Sequence, residues 1–504
     1  MRARAALLAP LLLLLAQCKV GPDFQVPPAP NVSGYTAGPL PARTAAARTR
    51  GGEPQRFVPD MDIPGQWWTL FHSAALNRLV TEALAANPDL EAAQAALRQA
   101  RENVYAGQGA LFPSVTANAQ AEREKFPGAA FGLPGVSPTF SLITGTLNIS
   151  YAPDVFGGTR RQIESLAAQT EYQRFQLEAA YLTLTSNLVV AAIQEASLRG
   201  QIAATQEIIK VETDQLNVVR QQFELGATAR SDVLQQEATL AQTRSSLPPL
   251  EKQLAETRHQ IRALAGRFPS QDGGEVFDLA RLKLPRDLPV SLPSLLVRQR
   301  PDVRAAEAQL HAASANIGVA VANQLPQFSI TGQLGTETTR LSQLFSPGTG
   351  VWSIAGGVAQ TLFDAGTLQH RKRAAVFAFD QAAAQYRSTV LKAFQNVADA
   401  LRALQADADA LAAATTAERS AFASFDLARQ QYKLGAITYL VLLNAERTWE
   451  QTRITLVQSE ANRYSDTAAL LQALGGGWWN RTDAAPHPFG PDRFVIPIFS
   501  AFQK

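Results

Sequence analysis

The chain has 504 residues, enough for two to four ordinary domains or for one very elongated one. Apolar residues make up 46% and charged residues only 18%, below the roughly 25% of a typical soluble domain. A net charge of +3 argues against the concentrated basic face of a nucleic-acid binder, and a single Cys excludes a disulfide framework and a cysteine-based zinc site.

Residues 1–17 read as an export signal. Arg2 and Arg4 precede an apolar run, Ala5–Ala16, that falls short of the about 20 residues a spanning helix needs. Cys18 closes that run after Leu15, Ala16 and Gln17. The arrangement resembles a bacterial lipoprotein signal, in which the Cys takes lipid on its thiol and becomes the mature N-terminus; Gln17 departs from the usual small residue. Lys19 stands where an Asp commonly retains lipoproteins in the inner membrane, so sorting to the outer membrane is expected. An ordinary signal peptide with an incidental Cys is the alternative. No other stretch approaches 18 uninterrupted apolar residues, so any membrane span has to be made of strands.

The segment 18–66, rich in Pro, Gly and Ala, predicts an extended arm. Beyond it lies an internal repeat. Asn87-Pro88-Asp89, with Leu97, Asn103 and Pro113, returns 213 residues later as Arg300-Pro301-Asp302, with Leu310, Asn316 and Pro326. VRQQFELGA (219–227) returns 209 residues later as ARQQYKLGA (428–436), identical at six of nine positions. The two units span 67–270 and 294–475, joined by 271–293 and followed by a tail, 476–504.

Each unit predicts a helix, a strand pair, a very long helix and a shorter return helix. The strands fall at about 113–156 and 326–363. Ile143, Leu147, Ile149 and Tyr151 alternate with Thr144, Thr146, Asn148 and Ser150; Phe328, Ile330 and Leu334 oppose Ser329, Thr331 and Gln333; Trp352, Ile354 and Val358 oppose Ser353 and Ala355. The long helices, 159–225 and 367–434, contain no Pro. Stepping by seven from Tyr181 gives Leu188, Glu195, Ile202, Ile209, Leu216 and Phe223; the equivalent set is Val390, Val397, Leu404, Leu411, Glu418, Phe425 and Tyr432. Six of seven are apolar in each, the mark of a left-handed coiled-coil seam. Return helices 228–265 and 438–473 fold back after Leu225-Gly226-Ala227 and Leu434-Gly435-Ala436, with Gly where a helix must stop and reverse. Four strands are too few to close a barrel, so the chain has to oligomerise, most simply in a ring.

CKVGPDF (18–24), the paired APDVFGGTRR (152–161) and QTLFDAGTLQ (360–369), and the two LGA turns resemble the TolC-type outer-membrane efflux proteins, in particular the lipoprotein branch (NodT-like and OprM-like) that serves RND-type tripartite pumps. The resemblance covers nearly the whole mature chain. It implies a mixed α/β membrane protein: a homotrimer whose protomers each give four strands to one transmembrane β-barrel above a periplasmic α-barrel of coiled-coil helices. It also implies a covalent lipid on Cys18 and contact with outer-membrane lipid. A periplasmic membrane-fusion adaptor would dock at turns built on Gly226 and Gly435, and an inner-membrane RND transporter would complete the pump. Asp232 and Tyr432 match members of the family's periplasmic gate. The basic position after the second turn is Ile437 here, and the expected acidic positions are Val441 and Asn444. Without the resemblance, Asp232 reads as a helix cap and Tyr432 as seam packing.

No phosphate loop, zinc-protease or nucleophile-elbow motif occurs, so no catalytic residue is assigned. The five His residues (His72, His259, His311, His370 and His487) are too scattered to suggest a metal centre, and acidic pairs such as Glu251 with Glu256 read as solvated helix faces. The expected function is a passive exit duct. A duct for type I secretion and a non-conducting, lipid-anchored periplasmic scaffold are the alternatives.

Overall fold

The computed structural model describes residues 19–484, apart from 126, 128–131, 133, 134, 136, 138, 272 and 273. Cys18, the 1–17 signal and the tail beyond 484 lie outside the described residues. In chain order the elements are β1 (Arg56–Pro59), α1 (Ala74–Ala86), α2 (Pro88–Gly109), β2 (Ser114–Lys125), β3 (Thr139–Tyr151), α3 (Gly158–Glu224) and α4 (Arg230–Leu264). Then come β4 (Asp287–Val290), α5 (Pro293–Gln299), α6 (Pro301–Ala322), β5 (Gln327–Thr338), β6 (Gly350–Ala359), α7 (Thr367–Lys433) and α8 (Tyr439–Ala473).

The repeat is carried into helix lengths. α2 and α6 have 22 residues each, α3 and α7 have 67, and α4 and α8 have 35. At 1.5 Å per residue the long pair reach roughly 100 Å. The sequence predicted one helix ahead of each strand pair; the chain places two, because Asn87-Pro88 and Arg300-Pro301 break what precedes them. Asn87 caps α2 by accepting from the Asp89 and Leu90 amides at 2.9 and 3.1 Å. α4 runs on through Pro248 and Pro249, both exposed, where water can take up the carbonyls they leave unpaired.

The predicted seam is buried at Tyr181, Leu188 and Leu216, and at every position of the α7 set except Glu418, which is half-buried; Phe223, beside the turn, is exposed. Glu195 sits in that seam fully buried because Arg199 pairs with it at 2.8 Å. The main core lies at mid-length of the long helices, where Trp67, Trp68, Phe71 and α1 pack against the middles of α3 and α7 and the C-terminal third of α8. Parallel pairing of β1 with β4 sews the arm to the connecting segment there. Among the described residues, no helix is long and apolar enough to cross a membrane.

β2, β3, β5 and β6 form one antiparallel sheet in that order. The register puts Val115, Leu147, Ile149, Ile330, Leu334, Trp352 and Ile354 on one face, and Thr116, Asn118, Thr146, Asn148, Gln333 and Ser353 on the other. The apolar face is uncovered: Trp352 is 75% exposed and Ile354 78%. β2 and β6 are open edges that run in opposite directions.

The motifs at the strand-to-helix junctions have a simple mechanical role. Asp154 accepts the amides of Thr159 and Arg160, both at 2.9 Å, and Asp364 accepts those of Gly366 and Leu368 at 2.9 and 2.8 Å. Each carboxylate thus holds the positive first turn of a long helix directly beneath a strand. Those backbone hydrogen bonds hold the Asp364 carboxyl below its ordinary range.

The start of the arm is locked to the same junction. Arg161, almost wholly buried, donates to the carbonyls of Val20 and Gly21 at 3.0 and 3.2 Å and pairs with Asp23 at 2.7 Å and Glu164 at 2.8 Å. Phe24 stacks on His311 of α6 at 4.4 Å. Gly21, at φ +89°, crosses Gly318 so closely that a Cβ on Gly21 would lie 2.4 Å from the Gly318 Cα. A Cβ on Gly318 would meet the Arg161 Cγ at 2.7 Å and the Val20 carbonyl oxygen at 2.8 Å. Gly318→Leu is therefore expected to expel the arm, at a cost of about 1–3 kcal/mol. Limited proteolysis should then cut within 19–55 while helical circular dichroism stays as in the parent; an equally resistant arm would show that the crossing is not what holds it.

Candidate gate and docking turns

Both hairpins of long helices end in the same three residues and the same backbone. The Ala227 amide donates to the Gln222 carbonyl at 2.8 Å and the Gly226 amide to that of Phe223 at 2.9 Å; Ala436 and Gly435 repeat the pattern on Gln431 and Tyr432, both at 2.9 Å. These are paired Schellman closures. They need a left-handed residue, which Gly226 and Gly435 supply at φ +74° and +73°. Among the described residues, nothing lies within 4 Å of where a Cβ would stand on either. Leu225 and Leu434 are 83% and 84% exposed, two apolar knobs at the end of the molecule. Covering each would gain about 1.5–3 kcal/mol, so the tip favours an apolar partner.

Just behind the turns the hairpins are tied together. Tyr432, near the end of α7, donates to the Gln222 Oε1 of α3 at 2.7 Å. Its ring lies 5.8 Å from that of Tyr439, whose hydroxyl bonds Gln236 of α4. Arg447 of α8 reaches the Thr239 hydroxyl at 3.3 Å. Asp232, half-buried in the first turn of α4, accepts from the Thr228 hydroxyl at 2.6 Å. Asp232 and Tyr432 thus fall in one cluster, yet the phenol's partner is Gln222. Burial raises the Tyr432 pKa, a hydrogen bond with Thr228 opposes the rise, and the Asp232 charge adds to it. Ile437 packs half-buried against the apolar cluster that contains Phe425, Leu442 and Trp449, while Leu440, Val441 and Asn444 are exposed on α8.

Sequence reasoning missed Gln222, Gln236 and Tyr439. The repeated Arg-Gln-Gln before each turn was a usable signal for the first. It also missed a buried acidic cluster some way behind the tip. Glu251 and Glu256 are exposed, as read, but Glu212 of α3 and Glu446 of α8 are completely buried, with Glu450 beside them. Glu212 lies three residues after the seam position Ile209, which is the sign that its carboxylate enters the seam. The Thr243 hydroxyl donates to Glu212 at 2.8 Å, and a protonated Glu450 donates to it as well. Neither carboxylate oxygen of Glu446 has a hydrogen-bond partner among the described residues. Burial first, then the neighbouring carboxylates, push Glu446 up to about 7 and Glu450 up to about 9; burial raises Glu212, and the positive charges of Arg244 and Arg447 act against the rise.

A duplicated chain of paired long helices, hung from a sheet with one bare apolar face, defines a channel protein of mixed α/β build. The chain belongs to the outer membrane efflux protein family, whose model matches residues 79–267 and 292–476. It is similar to TtgC of Pseudomonas putida, a probable efflux pump outer membrane protein, at 28% identity over 480 residues, covering 95% of this chain and 96% of that one. It is similar also to SilC of Salmonella typhimurium, a probable outer membrane lipoprotein, at 27% identity, covering 93% and 97%. Among solved structures, the outer-membrane channel OprN matches with a TM-score of 0.81 at 29% identity, over 92% of this chain and all of that one. The protein is an outer-membrane efflux component.

The acidic cluster makes hairpin packing pH-dependent. Its folded-state pKa values stand above the unfolded value near 4.3, so the folded state holds protons that the unfolded chain releases. Stability is therefore greatest below about pH 4.5 as far as these groups go. It falls as pH rises through about 7 and on to about 9, where the last buried carboxyl must charge. Glu446→Gln and Glu450→Gln should each flatten this fall, by an amount on the order of 3 kcal/mol across the window for Glu446. Thermal unfolding followed by circular dichroism between pH 5 and 9 tests it; parallel slopes in parent and variants would contradict the assignment.

Proposed function

We propose that the protein is the passive exit duct of a tripartite efflux pump, working as a homotrimer. The observation that supports this most is the sheet: apolar and exposed on one face, polar on the other, with two open edges running oppositely. Lipid offers no hydrogen-bond partners, so a spanning sheet has to close on itself. Pairing β6 of one copy with the β2 of the next keeps every contact antiparallel and the strand number even. Three copies would give twelve strands. The polar face would then line a water-filled lumen, continued by a tube of long helices.

Cys18 carries the lipid in this reading. Lys19, the next residue, lies 3.9 Å from Glu164 in the first turns of α3, at the strand end of the helices, where an anchor in the inner leaflet would be within reach. The turns Leu225-Gly226-Ala227 and Leu434-Gly435-Ala436 face an adaptor, and an inner-membrane RND transporter supplies energy and selects substrate. Asp232 and Tyr432 act at the periplasmic gate through Thr228 and Gln222. Constriction relies on apolar contact at Leu440 and Val441 more than on an acidic ring. The uncovered apolar sheet face speaks against a periplasmic scaffold, which has no use for one.

Reconstitution tests the duct directly. Detergent extracts should hold heat-resistant trimers that conduct in planar bilayers; a soluble, non-conducting monomer would overturn the reading. Docking is tested by replacing Gly226 and Gly435 with Trp. The open surroundings confine the damage to the left-handed backbone, about 1–2 kcal/mol at each turn. Trimers should survive while efflux in cells falls at least tenfold; unchanged efflux would place docking elsewhere.

A further inference from the structure

Where the strands meet the long helices, the apolar face of the sheet carries a groove of about 540 Å³. Tyr151, Val155, Phe328, Ile330, Gly356 and Val358 line it. The register sets Tyr151 level with Ile330, Ile330 level with Gly356, and Phe328 level with Val358, so the groove crosses three strands. It spans the β3–β5 seam, where the sheet joins the two repeats. Gly356 makes the notch: among the described residues nothing lies within 4 Å of where its Cβ would be. One end is polar, because Arg160 pairs there with Asp154 at 3.1 Å. An apolar trough with a polar stop has the chemistry of an acyl chain ending in a polar linkage.

The start of the described chain points to which acyl chain. The Val20 amide donates to the Phe156 carbonyl at 3.2 Å, and Arg161 holds the Val20 carbonyl at 3.0 Å. The Phe156 ring lies 6.2 Å from that of Phe328, which lines the groove. Cys18 is two residues before Val20, a span of at most about 7 Å. The Gly21–Gly318 crossing sends the rest of the arm away along α6. That tether lets a group on the Cys18 thiol reach the mouth of the groove.

We propose that one acyl chain of the lipid on Cys18 lies in this groove and covers the seam between the two hairpins. The proposal rests on the reading that Cys18 is lipidated. The chain then acts as a covalently tethered filler, holding the arm, both strand pairs and the first turn of α3 in one arrangement. β6 is an edge strand, but a neighbouring copy pairing with it lies in the plane of the sheet and leaves the notch on the face open.

Full-length protein made in cells fed a diazirine-bearing fatty acid tests this. After irradiation in membranes and digestion, mass spectrometry reads the Cys18 peptide and its cross-links. Most cross-links from the Cys18-borne chain should fall on peptides containing 151–155, 328–330 or 356–358. Gly356→Phe, which suits a strand and fills the notch, should reduce them several-fold with the lipid mass at Cys18 unchanged. A lipidated Cys18 whose cross-links scatter over Leu147, Leu334 and Trp352 would overturn the proposal. So would phospholipid adducts in the groove with the Cys18 chain elsewhere. An unmodified Cys18 peptide is a different result, removing the anchor and the proposal together.

Discussion

In the proposed duct, hydrogen bonding at membrane depth is the constraint on which the rest of the structure depends. A bilayer gives a bare strand edge no partner, and each unsatisfied backbone group there costs several kcal/mol. As a membrane-spanning sheet, four strands with two free edges would therefore be incomplete in one copy. Its alternating faces are already those of a closed sheet, apolar without and polar within. The long helices inherit their spacing and direction from the strands above them, because Asp154 and Asp364 bolt each first turn to the junction.

Duplication meets the geometric demand economically. Two copies of one plan give two hairpins of equal length, ending in turns of the same backbone form. Equal length lets both tips present Leu225 and Leu434 at one end of the molecule. Small departures from the repeat then supply what symmetry does not. Tyr432 replaces the equivalent Phe223 and so carries a hydroxyl that reaches Gln222 across the hairpins.

The buried charges divide into two kinds. Arg161 and Glu195 are fully paired, and they fix the arm and the seam in one register. Among the described residues Glu446 has no hydrogen-bond partner, which is poor for stability. In the proposed duct, hairpins that separate to open a passage gain from contacts that are weak where they cross. The pairs made by Arg161 and Glu195 lie toward the sheet and at mid-length, and Glu446 lies toward the tip.

Much of this was legible in the sequence. Local rules set the repeat, the two long helices, the glycine turns and the alternating strands, because each rests on periodicity or on a residue that permits little else. The single sequence could not say how equivalent residues would be used. Glu237 and Glu446 stand 209 residues apart at matching places in the two repeats, yet Glu237 lies at the surface, paired with Arg220 at 2.6 Å, and Glu446 is fully buried. The second return helix packs along much of the other hairpin, whereas the first meets it only near the tip, through Gln236 and Thr239. Likewise the spacing of CKVGPDF gave no hint that Gly21 crosses Gly318, nearly 300 residues away, or that Arg161 would close around the crossing. Periodicity specifies which face of a helix is buried; only the packed tertiary structure decides what it is buried against, and so whether a carboxylate there meets water, an arginine or another acid.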